Sequence, residues 1–328
     1  MGRFATAVVV VGLAVLGLAA LVDALREADP TVGVPTEPAA VPDLDAQAEA
    51  LSDAGVEGTL LYTDSADCAL RAVALPSLRA AAAPRWDTCA FALGPDGEVA
   101  PGGTVFDLRG GLQAAEFEGG VDVVDPRGRR GRRFDEARAP AFRPDGSLTI
   151  VRKGELVSLA PCSRRDPPLE GLGDCPSVLV TENELTALAD VSVVPRPLRL
   201  ALTAVTWLDD ATFATVAQAG TSDVLLGVRL GAKPPTVDVW FEDDAVSDLE
   251  ASPRKRVVSA VTATGELAVF DVGGTLLGLR GTQVRASAWS PDERWLAVLD
   301  GDHVLLVDGT NGDEVGRVPL SARDLAWG

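Results

Sequence analysis

One pattern recurs along most of the chain: a short apolar strand, a tight turn, then two or three more short strands separated by Gly- and Asp-rich turns. The clearest copy lies near the C-terminal end. Residues 286–290 (ASAWS) form a first strand, and 291–294 (PDER) a turn whose proline is pre-set for its second position. Residues 295–299 (WLAVL) and 303–307 (HVLLV) form the next two strands around the turn 300–302. After the loop 308–313, residues 314–320 (EVGRVPL) form the fourth. Four short strands joined by tight turns within one such stretch is the unit of a ring of sheets, not of a sandwich or an α/β fold.

The same grammar recurs upstream. Residues 246–252 lead through 253–256 (PRKR) to VVSAVTATG, ELAVFDVGG and TLLGLRG. LTAVTWL leads through Asp209-Asp210 to TFATVAQAG, DVLLGVRLG and TVDVWF. APAFR leads through Pro144-Asp145-Gly146 to LTIVRKG and ELVSLAP. The first full copy reads TCAFALG, Pro95-Asp96-Gly97, GTVFDLRGG and LQAAEF. Anchors at Ala92, Arg143, Leu208, Ser252 and Ser290 are separated by 51, 65, 44 and 38 residues. The longer intervals read as insertions: a basic loop at 125–138, and a cysteine loop followed by 182–199. The chain ends on 324–328 (DLAWG), a first strand with no blade after it, while 58–63 (GTLLYT) and 68–75 (CALRAVAL) are strands with no first strand before them. Joining the two ends completes a blade and hides the sheet edges an open array would expose. The expected fold is all-β, a six-bladed β-propeller closed by its N-terminal strands.

The motif Phe142-Arg-Pro-Asp-Gly146, with Trp289-Ser-Pro-Asp292 and Phe91-Ala-Leu-Gly-Pro-Asp-Gly97, resembles the TolB-like and WD-type propeller repeats of bacterial envelope proteins. The resemblance covers residues 56–328. It implies the fold and leaves the activity open, because propellers of this kind do many jobs. Glu293 stands where the turn glycine is usual, and two of the middle blades lack Pro-Asp-Gly.

Ahead of the repeats, Phe4 to Val22 carries no charge. At 1.5 Å per residue such a segment spans a hydrocarbon core of about 30 Å. Arg3 precedes it, and Asp23, Glu27 and Asp29 follow. The positive-inside bias therefore puts the body outside the cytoplasm. The expected organisation is a transmembrane anchor over 1–27, a Pro-rich linker and short lead-in over 28–55, and the propeller over 56–328. A cleaved signal peptide is the alternative, because small-x-small sites occur at 17–19 and 22–24. Either reading exports the body.

Four cysteines, Cys68, Cys89, Cys162 and Cys175, lie in the exported part. An even number there reads as disulfides, with sequence neighbours paired among the three connectivities. No C-x-x-C pair is present, which argues against a zinc site.

The chain has 48 acidic and 29 basic residues, a net charge of −19, and one histidine, His303. An acidic balance excludes nucleic-acid backbones as partners. One histidine leaves little room for metal or imidazole chemistry. No nucleophile elbow, phosphate loop, zincin or dinucleotide motif occurs. No catalytic residue, metal or cofactor is expected. Arg127, Arg129, Arg130, Arg132 and Arg133 crowd one stretch of an otherwise acidic chain. They read either as an interaction patch for anionic lipid, polymer or protein, or as a solvated loop balanced by nearby acids. The turn aspartates Asp96, Asp145, Asp209 and Asp292 read as caps of their own turns, with convergence on a cation as the alternative. Trp207, Trp289, Trp327 and Phe142 read as inter-blade packing, with a carbohydrate platform as the alternative. The leading expectation is a membrane-tethered, non-catalytic binding or scaffolding module for envelope proteins or wall components. The others are an extracytoplasmic hydrolase or lyase using rim carboxylates, and a sensor with a small ligand in the channel.

Overall fold

The computed structural model describes residues 43–83, 89, 91–93, 99–101, 105–106, 112–117, 119–124, 130–160, 175–191, 199–243, 245–254, 256–280, 283–310 and 312–328. Helix α1 (Leu44–Ala54) starts on an Asp43 cap that accepts from Asp45 N and stops at Gly55 in the left-handed conformation. It is followed by β1 (Gly58–Asp64), β2 (Leu70–Leu75) and β3 (Arg79–Ala81), then by a two-stranded pair, β4 (Phe91–Leu93) and β5 (Val99–Pro101). Among the described residues there are six four-stranded antiparallel sheets beside this pair, consistent with a propeller of about six blades. One comprises β6 (Val105–Phe106), β7 (Gln113–Phe117), β8 (Gly120–Val124) and β9 (Arg130–Asp135). The next has β10 (Ala137–Phe142), β11 (Leu148–Arg152), β12 (Glu155–Ala160) and β13 (Cys175–Thr181). Helix α2 (Glu182–Leu188) then leads to β14 (Leu200–Trp207), β15 (Thr212–Ala219), β16 (Ser222–Arg229) and β17 (Thr236–Asp243). The fourth has β18 (Val246–Ala251), β19 (Val257–Thr262), β20 (Leu267–Asp271) and β21 (Leu276–Arg280). The fifth has β22 (Val284–Trp289), β23 (Trp295–Asp300), β24 (His303–Asp308) and β25 (Glu314–Val318).

The sixth sheet closes the ring. Its order is β26-β1-β2-β3, with the last strand, β26 (Ala322–Trp327), antiparallel to β1; Leu60 faces Trp327 and Tyr62 faces Leu325. First strands touch in succession, β10 with β14, β14 with β18, β18 with β22 and β22 with β26. The β4–β5 pair sits between β26 and β6 and touches both.

The sheets hold together because their second and third strands are apolar on both faces. Residues Thr212–Ala217 on β15 and Val224–Val228 on β16 are buried without alternation, which only a strand covered on both sides permits. The first strands β14 and β22 each end in a tryptophan wedged against the preceding sheet. Trp207 Nε1 donates to Thr149 Oγ1 at 2.9 Å, and Trp289 Nε1 to Ser259 Oγ at 3.2 Å. Burying such an indole contributes about 2–3 kcal/mol, and the hydroxyl removes the penalty of an unpaired N–H. Helix α1 covers the outer edge at β25: Leu51 is fully buried against Gly316, and Arg317 N donates to Gln47 Oε1 at 2.8 Å.

Two expectations are corrected. The stretch from TCAFALG to LQAAEF is not one blade. Among the described residues Phe91–Leu93 pairs only with Val99–Pro101, while Val105–Phe106 opens a separate sheet with Gln113–Phe117. Arg130–Asp135, expected in a loop, is the fourth strand of that sheet, paired with β8. Alternation explains this: Val121, Val123 and Phe134 are buried while Arg133 and Asp135 face outward. Cys175–Thr181, between the cysteine loop and 182–199, is also a fourth strand, β13. Among the described residues no helix is long and apolar enough to cross a membrane; the segment Phe4 to Val22 lies outside them.

Candidate functional site at the inner edge of the ring

A first strand has one neighbour in its own sheet, so its other edge offers unpaired N–H groups to the axis of the ring. Carboxylates from the preceding sheet meet them. Ala139 N donates to Glu116 Oε2 at 2.9 Å, Leu202 N to Glu182 Oε1 at 2.8 Å, and Val246 N to Asp223 Oδ2 at 2.8 Å. Phe91 N, at the start of β4, donates to Asp324 Oδ2 at 3.1 Å. The Ser287 N–H on β22 is directed at Asp248 of β18. Each charge-assisted bond is worth about 1.5–3 kcal/mol. Together they fasten successive sheets at the axis, where no ladder can.

Two of these acids form the most unusual electrostatic feature of the molecule. Each first strand from β14 onward bulges by one residue. The first residue paired after the bulge is Ala204, Asp248, Ala286 and Asp324 in turn. Aspartates thus occupy one repeat position in two sheets flanking a third that carries alanine. Asp248 keeps some accessible surface but is walled in by protein. This desolvation pushes its carboxyl up to about 6. The Asp324 carboxylate adds to the rise, and the N–H groups of Ser287 and Leu249 oppose it. Burial raises Asp324 as well, against hydrogen bonds from Phe91 and Leu325. Carboxyls raised by burial are a chemical resource as well as a structural cost.

The residues singled out in the sequence lie elsewhere. Cys68, in the β1–β2 turn, is bonded to Cys89, just before β4, and Thr63 Oγ1 donates to Cys89 O at 3.1 Å. Cys175 begins β13, and Cys162 lies outside the described residues, as do Arg127, Arg129 and Asp96. Arg130 begins β9. Arg132 lies over the Phe134 ring at 4.8 Å, and Arg133 Nε is 3.3 Å from Asp135 Oδ1. These two guanidiniums follow one another on a strand and are engaged by different partners. The turn aspartates cap their own turns: Asp145 Oδ1 accepts from Ser147 N, Asp209 Oδ1 from Ala211 N and Thr212 N, and Asp292 Oδ1 from Arg294 N. Among the described residues no group of three metal-ligating side chains converges. Trp207, Trp289, Trp327 and Phe142 are buried, which removes them as a sugar platform. His303 opens β24, half-buried and paired in register with Asp300.

No protein-family model and no curated protein matches the chain. Solved structures do. The chain is similar to apo AztD from Citrobacter koseri, with a TM-score of 0.56 at 10% identity, over 83% of this chain and 98% of that one. It is also similar to a putative 6-phosphogluconolactonase from Bacteroides uniformis, with a TM-score of 0.53 at 11% identity, over 83% and 99%. At such identities the likeness speaks to fold alone, and the fold it supports is the propeller.

Proposed function

We propose that the chain is a non-catalytic binding or scaffolding module, a propeller held at the outer face of the cytoplasmic membrane by its apolar N-terminal segment and directed at envelope proteins or wall components. One observation carries the non-catalytic part: the inner-edge carboxylates Glu116, Glu182, Asp223, Asp248 and Asp324 all accept main-chain N–H bonds from neighbouring sheets. Groups spent on holding the ring are poor candidates for proton transfer to a substrate. Export is supported by the Cys68–Cys89 bond, since such bonds persist in oxidising compartments, and by the uncharged stretch from Phe4 to Val22. The repeat motifs around Phe142 and Trp289 fit a TolB-like envelope role.

A second reading has a specific observation behind it. Asp248, raised to about 6, and Asp324, also raised by burial, are carboxyls of the perturbed kind that hydrolases and lyases use for acid–base work. The double variant Asp248→Asn, Asp324→Asn separates the two, because asparagine still accepts the N–H bonds. The binding reading expects crosslinked partners from intact cells to be recovered equally with wild type and variant. Turnover of a wall glycan by the wild-type protein, lost in the variant, would establish the enzyme instead.

A further inference from the structure

At one rim, between the sheet β14–β17 and the sheet β18–β21, lies a cleft of about 290 Å³ lined by Leu208, Asp209, Thr212, Arg229, Arg256 and Val272. Thr212 and Arg229 are register partners on β15 and β16, so their side chains leave the sheet on the same face. Arg256 and Val272 come from the facing sheet. Its turn is fixed by Ser252 Oγ, which accepts from Arg256 N at 3.1 Å and Val257 N at 3.3 Å. The walls are locked to each other: Trp240 on β17 stacks on Phe270 of β20, centroids 6.1 Å apart at 27°, and lies against Gly274, where no Cβ fits.

The charges make this cleft distinctive. The chain carries 48 acidic residues against 29 basic ones, and Arg71, Arg138, Arg143 and Arg317 each sit within 4 Å of a carboxylate. Arg229 and Arg256 form no such ion pair among the described residues, yet both face the one cleft. The single carboxylate there, Asp209, spends Oδ1 on the N–H groups of Ala211 and Thr212, 2.6 Å each. Two guanidinium forks with one partly engaged acid leave a local surplus of positive charge in a negative molecule. Leu208 and Val272 supply an apolar side, and Val272 is 44% exposed. A guanidinium fork matches a carboxylate or phosphate with two parallel hydrogen bonds.

The geometry points to a binding site for a small amphipathic oxyanion, a phosphate or carboxylate group on an apolar body, held by Arg229 and Arg256 with the apolar part against Leu208 and Val272. The site gives the binding module a ligand class. It rests on that reading only in that the ligand is held rather than turned over.

Titration calorimetry of the detergent-solubilised full chain with phenyl phosphate, inorganic phosphate and phenol tests it. Phenyl phosphate is expected to bind best, inorganic phosphate at least threefold more weakly and phenol not at all, with affinity falling as salt rises. Arg229→Gln and Arg256→Gln should each weaken phenyl phosphate about tenfold. Asp209→Asn, which keeps the turn acceptor and removes a like charge, should tighten it severalfold. Both arginines are exposed, and circular dichroism of each variant confirms that the fold is kept. Equal heats for phenyl phosphate and phenol, or an affinity unchanged by the double arginine variant, would overturn the site. Anionic phosphatidylglycerol vesicles form the second arm: sedimentation with vesicles but no binding of phenyl phosphate overturns the small-ligand site in favour of a membrane surface. Partner recovery from cells is a separate readout, so loss of the anion site and loss of the scaffolding role are told apart.

Discussion

Asp248 carries a cost that the rest of its sheet offsets. Its carboxyl titrates near 6 in the fold against 3.8 as the reference, so the folded chain holds this proton more tightly than the unfolded chain. A raised carboxyl is harmless below about pH 4, costs progressively more as pH climbs to about 6, and imposes the full penalty above that. The displacement corresponds to about 3 kcal/mol, reduced because the side chain keeps some contact with solvent. Asp248→Asn should therefore raise Tm at pH 8 and leave it nearly unchanged at pH 4, as scanning calorimetry at the two pH values would read. An increase of equal size at both would mean that the charge is not the cause. Little of this was legible in the sequence. The turn aspartates Asp145, Asp209 and Asp292 and the strand-end tryptophans Trp207 and Trp289 recur at a fixed place in their repeats, and they do cap turns and pack between sheets. Asp248 and Asp324 share one repeat position on β18 and β26, but Glu116, Glu182 and Asp223 sit on β7, at the head of α2 and on β16, with no common offset from any anchor. Arg229 and Arg256 escaped for the same reason: they are neighbours only because two sheets face each other.

At the level of elements, closure by β26 was readable because an unpaired first strand at one end and orphan second strands at the other have only one economical solution. What misled was composition. Arg130–Asp135 looked like a solvated loop because four of its six residues are charged, but the alternation that buries Phe134 makes it an edge strand. Charged outer edges protect a sheet from pairing with another chain, so the same residues serve the fold. Closure also has a measurable consequence. A chain ending at Ser321 lacks β26 and exposes the β1 edge, the fully buried Leu60 and the acceptor Glu57 O that Trp327 uses. Hydrogen exchange should show Leu60 and Tyr62 amides losing protection, with aggregation at micromolar concentration. Retained protection in the shortened chain would mean that β1 does not depend on the C-terminal strand.

For the whole molecule, the first blade gathers the features that bear on its place in the cell. The Cys68–Cys89 bond ties the β1–β2 turn to the segment before β4, and Asp324 on β26 holds Phe91 N next to it. A net charge of −19 turns the chain from anionic surfaces, which makes a cleft whose two guanidiniums form no ion pair among the described residues a selective exception. The proposed export of the module rests in part on this oxidised first blade, since such bonds persist in oxidising compartments. The most direct test is the thiol state of Cys68 and Cys89 in intact cells making the full chain, quenched with acid and alkylated before and after reduction. An exported module predicts that neither cysteine is labelled until reductant is added; free, labelled thiols at both positions in the untreated sample would contradict it.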